Sequence, residues 1–238
     1  MHKAAIVIAT YTGGEYSDVK ASITKNLCKV ISENTSYYIC LVSHSPIDIE
    51  TQQYCNAFIY DSDNSFQING LPKDKLTHGM AELTSMHNAV NYLQRLGFTH
   101  IFKLAYDCDS TLDYNELIQR CQYICDNYDK RLISNGWGNK QITVGTLAYY
   151  CEIDFFKQAF SLEKPEVWHA NFEMQVHKNI CDLGLLDKVY LHSDRYFDGE
   201  GFLGFIVNQY VSCSDPDPSL TEINTDNYNG DVLIHNYA

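Results

Sequence analysis

Phe98-Thr-His-Ile-Phe-Lys-Leu-Ala-Tyr-Asp-Cys-Asp109 is the stretch whose reading decides the fold. Thr99 to Ala105 reads as a buried strand. Gly97 before it stops a helix. Behind it the chain turns polar at once, in Tyr106-Asp-Cys-Asp109. On extended backbone, Asp107 and Asp109 project to the same side. Two neighbouring carboxylates repel each other unless a cation lies between or near them. A hard divalent ion carrying a diphosphate on its far side meets that need. The alternative is a solvated turn in which Asp109 caps the next helix.

Upstream, the same pattern of strand, polar end and helix occurs three times. Ala4-Ala-Ile-Val-Ile-Ala9 is a buried strand ending at Thr10-Tyr-Thr-Gly-Gly14. A helix from Ser17 or Asp18 to about Glu33 places Val19, Ile23, Leu27, Val30 and Ile31 on one face. Tyr37 to Ser43 is a second strand, ending in Ser43-His-Ser-Pro46, and residues 47 to 55 read as a short helix. Ala57 to Tyr60 is a third strand, followed by Asp61-Ser-Asp-Asn64. Met80, Leu83, Met86, Val90 and Leu93 mark a helix from Gly79 to Leu96.

Downstream, a helix is expected from Asp113 to Asp126 and a strand from Arg131 to Ser134, ending in Asn135-Gly-Trp-Gly138. Ile142 to Cys151 is another strand, Ile153 to Phe160 and Asn171 to Leu183 are helices, and Lys188 to His192 is a strand. Gly199 to Gly204 is glycine-rich, and Val232 to His235 reads as a last strand. Four βα steps in 110 residues predict an α/β protein: a Rossmann-like, mostly parallel sheet with helices on both faces and a mixed C-terminal half. One domain over residues 1–238 is expected, with a first half of βα steps at 1–110 and a mixed second half at 111–238. Ligands of such sheets bind beyond the carboxyl ends of the strands, where five polar strand ends gather here.

Composition narrows the partners. The 238 residues are 45% hydrophobic and 20% charged, which excludes a disordered chain. The formal net charge of −13 disfavours broad nucleic-acid binding. No apolar run approaches the ~18 residues of a membrane span. Ala4 to Ala9 is too short for a signal-peptide core, so a cytoplasmic protein is expected. Nine cysteines, an odd number with no CxxC, fit a reducing compartment. Cys121 and Cys125 read as two buried thiols on a helix.

The order of four strands, with helices between, leading to D-x-D resembles the glycosyltransferase-A fold. Gly79 to Ala89, running on into Phe98 to Asp109, is similar to the helix and strand that lead to that family's metal motif. Ser43-His-Ser-Pro46 and Ile59-Tyr-Asp-Ser-Asp-Asn64 resemble nucleotide-half segments in glycosyltransferase-like proteins of phages and large viruses, host-cytoplasmic if viral. The likeness covers residues 4 to 193. It implies a nucleoside-diphosphate sugar donor whose diphosphate is bridged by Mn2+ or Mg2+, and an acceptor it does not specify. By this resemblance Asp107 and Asp109 are metal ligands. Thr10 and Tyr11 pack on base and ribose, and Ser43, His44 and Asp61 belong to the same nucleotide-sugar site. Inverting members carry an acidic base at the start of a later helix, where Glu173 is the match and Glu166 and His169 are reserves. Phe172-Glu173-Met174 holds one acid where the family has a pair. His235, with His192 as rival, matches a late histidine of the metal shell. Trp137 between two glycines suits stacking on a sugar, or plain packing.

Two other readings compete. Asp107-Cys-Asp-Ser-Thr111 also fits the nucleophile motif of haloacid-dehalogenase-like phosphatases, with Asp107 attacking phosphorus and Ser134 binding phosphate. That motif belongs after the first strand of a core, and here three βα steps precede it. A non-catalytic nucleotide-sugar-binding domain is the third reading.

Overall fold

The computed structural model describes residues 2–12, 17–61, 76–108, 110, 112–137, 143–161 and 172–192; of these, residues 76–80, 135–137, 143, 147, 172–174 and 191–192 are described by backbone alone. The strands are β1 (Ala4–Thr10), β2 (Tyr38–Ser43), β3 (Ala57–Tyr60), β4 (His100–Ala105), β5 (Leu132–Trp137), β6 (Thr143–Glu152) and β7 (Val189–His192). The helices are α1 (Ser17–Asn34), the single turn α2 (Ile49–Gln52), α3 (Leu76–Arg95), α4 (Tyr114–Tyr128), α5 (Ile153–Ala159) and α6 (Phe172–Asp182). The glycine-rich stretch Gly199–Gly204 and the expected last strand Val232–His235 lie outside the described residues.

The seven strands form one sheet in the order β3-β2-β1-β4-β6-β5-β7. β1 pairs in parallel with β2 and β4, β2 with β3, and β5 with β7; β6 runs antiparallel to both its neighbours. Among the described strands the reversal is confined to β6. The carboxyl ends of all the others therefore share one edge of the sheet. That edge brings Thr10, Ser43, Tyr60 and Ala105 together.

Period-two alternation builds a core on each face. Ala5, Val7, Cys40, Val42 and Ile101 face α3, α5 and α6. Ile6, Ile8, Ile39, Leu41, Phe102 and Leu104 face α1 and α4. A strand buried on both faces reads as an unbroken apolar run, which is why β1 and β2 are recognisable in the sequence. α3 buries Leu83, Met86, Val90 and Leu93, as its spacing requires. Gly97 follows it at φ +79°, a conformation that costs glycine nothing.

Two expectations are corrected. The buried face of α1 is Thr24, Leu27, Cys28 and Ile31, while Val19 and Ile23 are exposed. The apolar stripe read from the sequence was rotated towards two β-branched surface residues, because Thr24 and Cys28 carry the packing. The strand expected to stop at Ser134 continues through Asn135-Gly-Trp137, where Gly136 pairs with Val144 and Trp137 with Thr143. The register shifts between Ser134 and Gly136, and the bulge carries the strand through residues that read as a turn. Beside this irregularity, buried side chains reach β6 carbonyls: Ser134 Oγ donates to Gly145 O at 2.6 Å and Lys103 Nζ to Thr146 O at 2.6 Å.

Candidate functional site

The polar ends of β1 and β2 are tied into a knot of hydroxyls. Thr12 donates its backbone N–H to Ser45 Oγ at 2.7 Å, and the two hydroxyls lie 2.9 Å apart. Ser43 Oγ donates to the Ser45 carbonyl at 2.8 Å and accepts from the Ser45 N–H at 3.0 Å. Thr10 Oγ1 sits 2.8 Å from Thr24 Oγ1, so its hydroxyl joins β1 to α1. Tyr11 is 40% exposed, and the Lys20 ammonium stands 5.5 Å from its ring centre. The ammonium lies within cation–π reach of the ring, which is in part open to solvent.

His44 links three elements. Nδ1 lies 3.1 Å from the Asp61 carbonyl oxygen just past β3, and Nε2 lies 2.5 Å from both the Ala81 carbonyl oxygen and the Ser85 hydroxyl of α3. Each ring nitrogen thus faces a backbone carbonyl, Asp61 at Nδ1 and Ala81 at Nε2, with the Ser85 hydroxyl beside Nε2. Asn88 Nδ2 donates to the Asp61 carboxylate at 3.1 Å. Asp61 is thus held to α3 directly by its side chain and through His44 by its backbone carbonyl.

A cavity of about 240 Å³ opens between the start of α1 and the β2–α2 connection, lined by Thr12, Asp18, Thr24, Pro46, Asp48 and Thr51 among others. Asp48 caps α2, accepting from Thr51 N and Thr51 Oγ1, each at 2.7 Å. The Thr51 hydroxyl bond is the main reason its carboxyl stays below the usual range. The lining is thus rich in acceptors and hydroxyls.

At the end of β4, Tyr106 N donates to Ala9 O at 3.1 Å and Cys108 N to Ala105 O at 3.2 Å, which turns the chain. Asp107 on this turn is exposed. Burial pushes the Cys108 thiol up to about 11, with Lys103 opposing and Asp107 and Glu82 adding to the rise. Asp109 lies outside the described residues, and the residue that caps α4 is Asp113, which accepts from Glu116 N at 3.0 Å.

The sheet brings Thr10, Tyr11, Ser43, His44, Asp61 and Asp107 to its carboxyl edge. Trp137 closes β5, Glu173 falls in the first turn of α6 and His192 ends β7, all three by backbone alone. His235, Glu166 and His169 lie outside the described residues. Lys103 and Glu82 were missed by the sequence reading. The available signal was a lysine inside an otherwise apolar strand.

Among the described residues no group of three or more His, Cys, Asp or Glu is placed to hold a metal. Asp107 is the one expected metal ligand with a described side chain. Its exposed carboxylate at a strand end is an oxygen donor of the kind a hard divalent cation takes.

No family model matches the chain, and no curated protein matches it. Solved structures do. A cytidylyltransferase from Leptospira borgpetersenii serovar Hardjo-bovis is 10% identical, with a TM-score of 0.53, over 83% of this chain and 79% of that one. A glycosyltransferase involved in the glycosylation of the major capsid of PBCV-1 is 11% identical, with a TM-score of 0.50, over 79% of this chain and 81% of that one. These likenesses define the fold, a mostly parallel α/β sheet of the glycosyltransferase-A type. No described helix is long and apolar enough to cross a membrane.

Proposed function

We propose that this protein transfers a sugar from a nucleoside-diphosphate sugar to an acceptor hydroxyl. The observation that carries the reading is the shared edge: the cavity at the ends of β1 and β2, and the exposed Asp107 at the end of the neighbouring β4. The acceptor-rich cavity suits a base and ribose, and Tyr11, next in the chain to the lining residue Thr12, is the aromatic to pack on them. Ser43 and His44 fix the loops behind it, and Asp61 offers a carboxylate to ribose or base.

Asp107 and Asp109, with His235 or His192, would hold Mn2+ or Mg2+ on the diphosphate. When bound, the cation offsets negative charge on the leaving diphosphate. In the transfer, the acceptor oxygen bonds to the anomeric carbon as the bond from that carbon to the diphosphate oxygen breaks. Glu173 takes the acceptor proton, and Trp137 packs against the sugar or acceptor. The 1–110 half binds the donor and the 111–238 half the acceptor. None of the eight described cysteines is in a disulfide, which fits a reducing, cytoplasmic setting.

The phosphatase reading is not favoured, since the sheet matches transferases of known structure. The test is turnover. The protein is incubated with a panel of nucleoside-diphosphate sugars and Mn2+, and released nucleoside diphosphate is measured. Metal-dependent release from one donor, slowed strongly by Glu173→Gln, is expected. No release from any donor, together with phosphatase activity in Mg2+, contradicts the proposal.

A further inference from the structure

The cavity between the start of α1 and the β2–α2 connection is charged in one sense. Asp18 and Asp48 line it, and no Lys, Arg or His is among the described residues that do. Lys25, close by on α1, is held by Glu50 at 2.7 Å. Such a wall repels phosphate. The diphosphate of a donor is therefore kept out of this cavity, and the base is the part that fits it.

Most polar groups of the lining are already engaged. Thr12 Oγ1 lies 2.9 Å from Ser45 Oγ, and Thr24 Oγ1 lies 2.8 Å from Thr10 Oγ1. Asp48 accepts from Thr51 N at Oδ1 and from Thr51 Oγ1 at Oδ2, each at 2.7 Å. Asp18 differs. It is exposed, and its carboxylate has no hydrogen bond or ion pair among the described residues. A carboxylate with both oxygens open accepts from two donors that lie side by side. Among the four RNA bases guanine alone presents such a pair, N1–H next to the N2 amino group. Uracil has a single N–H between two carbonyl oxygens, which a carboxylate repels. Adenine and cytosine each have one amino group beside a bare ring nitrogen. The Ser17 hydroxyl, in the same lining, is able to donate to guanine O6.

We propose that Asp18 is a specificity-determining residue that reads guanine, so that the donor is a GDP-sugar. This rests on the transferase reading above and names the base of its donor. Asp18 meets the base and not the ribose in this scheme. It therefore sets the preference among nucleotides and does not strengthen all of them alike.

The experiment measures affinities by calorimetry in Mn2+ for GDP, IDP, UDP, CDP and ADP. IDP is GDP without the N2 amino group. Wild type is expected to bind GDP most tightly and IDP about tenfold more weakly, the loss expected for one charge-assisted hydrogen bond. That comparison needs no variant. Asp18→Asn should weaken GDP by about tenfold or more, bring it close to IDP, and leave UDP, CDP and ADP within about twofold. Tighter binding of another base by wild type, or equal binding of GDP and IDP, overturns the inference and leaves the transferase reading standing. So does a loss in Asp18→Asn shared by every nucleotide, the mark of a ribose contact, or no loss at all, the mark of a carboxylate that serves only the start of α1. Failure of wild type to bind any nucleoside diphosphate overturns the transferase reading and the inference with it.

Discussion

Ser45 is the residue on which the two nucleotide-side loops converge. Its hydroxyl accepts the Thr12 N–H and sits between Thr12 Oγ1 and Ser43 Oγ. Ser45→Ala leaves a buried N–H without an acceptor, and such a loss costs about 1–3 kcal/mol. Urea unfolding should show that loss, and nucleotide affinity should fall with it. Asp107 makes the opposite prediction. Its side chain is exposed, so Asp107→Ala should unfold at a denaturant midpoint close to wild type while losing Mn2+-dependent donor binding. Binding that survives with its metal dependence intact would remove Asp107 from the metal site. Lys103→Met opens its buried pair with Glu82 of α3, and breaking such a pair costs about 3–5 kcal/mol. Glu82 keeps contact with water, so the lower end of that range is expected by chemical denaturation.

At the scale of elements, α1 separates pattern from packing. Leu27 is 1% exposed and Ile23 39%. Leu27→Ala should cost about 2–5 kcal/mol, and Ile23→Ala about 0.5 kcal/mol. Equal losses would restore the face read from the sequence. α6 carries a pH dependence. Burial lowers His177 to about 4, and its Nδ1 finds no partner among the described residues. In the unfolded chain a histidine titrates near ~6.5. The folded state therefore excludes the proton: stability is full above ~6.5 and falls as pH drops towards 4, by up to about 3 kcal/mol. His100, also lowered to about 4 by burial, works in the same direction. His177→Leu should flatten the acid limb of a stability–pH curve, and an unchanged limb would contradict the assignment. Strands such as β1 and β2 were legible because continuous burial leaves a continuous apolar run. The far end of β5 was not, because a bulge carries Asn135-Gly136 through a register shift that no local pattern announces. Lys103 was passed over for a related reason: its partners are 21 residues back on α3 and 43 residues ahead on β6.

For the whole molecule, the sheet order is what turns scattered polar strand ends into one site. β1 lies between β2 and β4, so the Thr10–Thr12 loop sits beside Ser43–Ser45 on one side and the Asp107 turn on the other. The sequence made the gathering of those ends legible, since each is a polar break after a buried run. It did not make the cavity legible, because Asp18 meets Asp48 and Thr51 only through the packing of α1 on α2. The central claim is that this edge binds a nucleoside-diphosphate sugar with a metal. The most direct measurement is the melting temperature of wild type and Asp107→Ala with UDP, GDP, CDP and their sugars, each with and without Mn2+. A ligand that binds only the folded state at 100 times its Kd adds about 2.7 kcal/mol. The account predicts a rise of several degrees for one nucleotide and its sugar, present in wild type with Mn2+, and absent without Mn2+ or in Asp107→Ala. No shift with any of them, or a shift indifferent to both Mn2+ and Asp107, would contradict it.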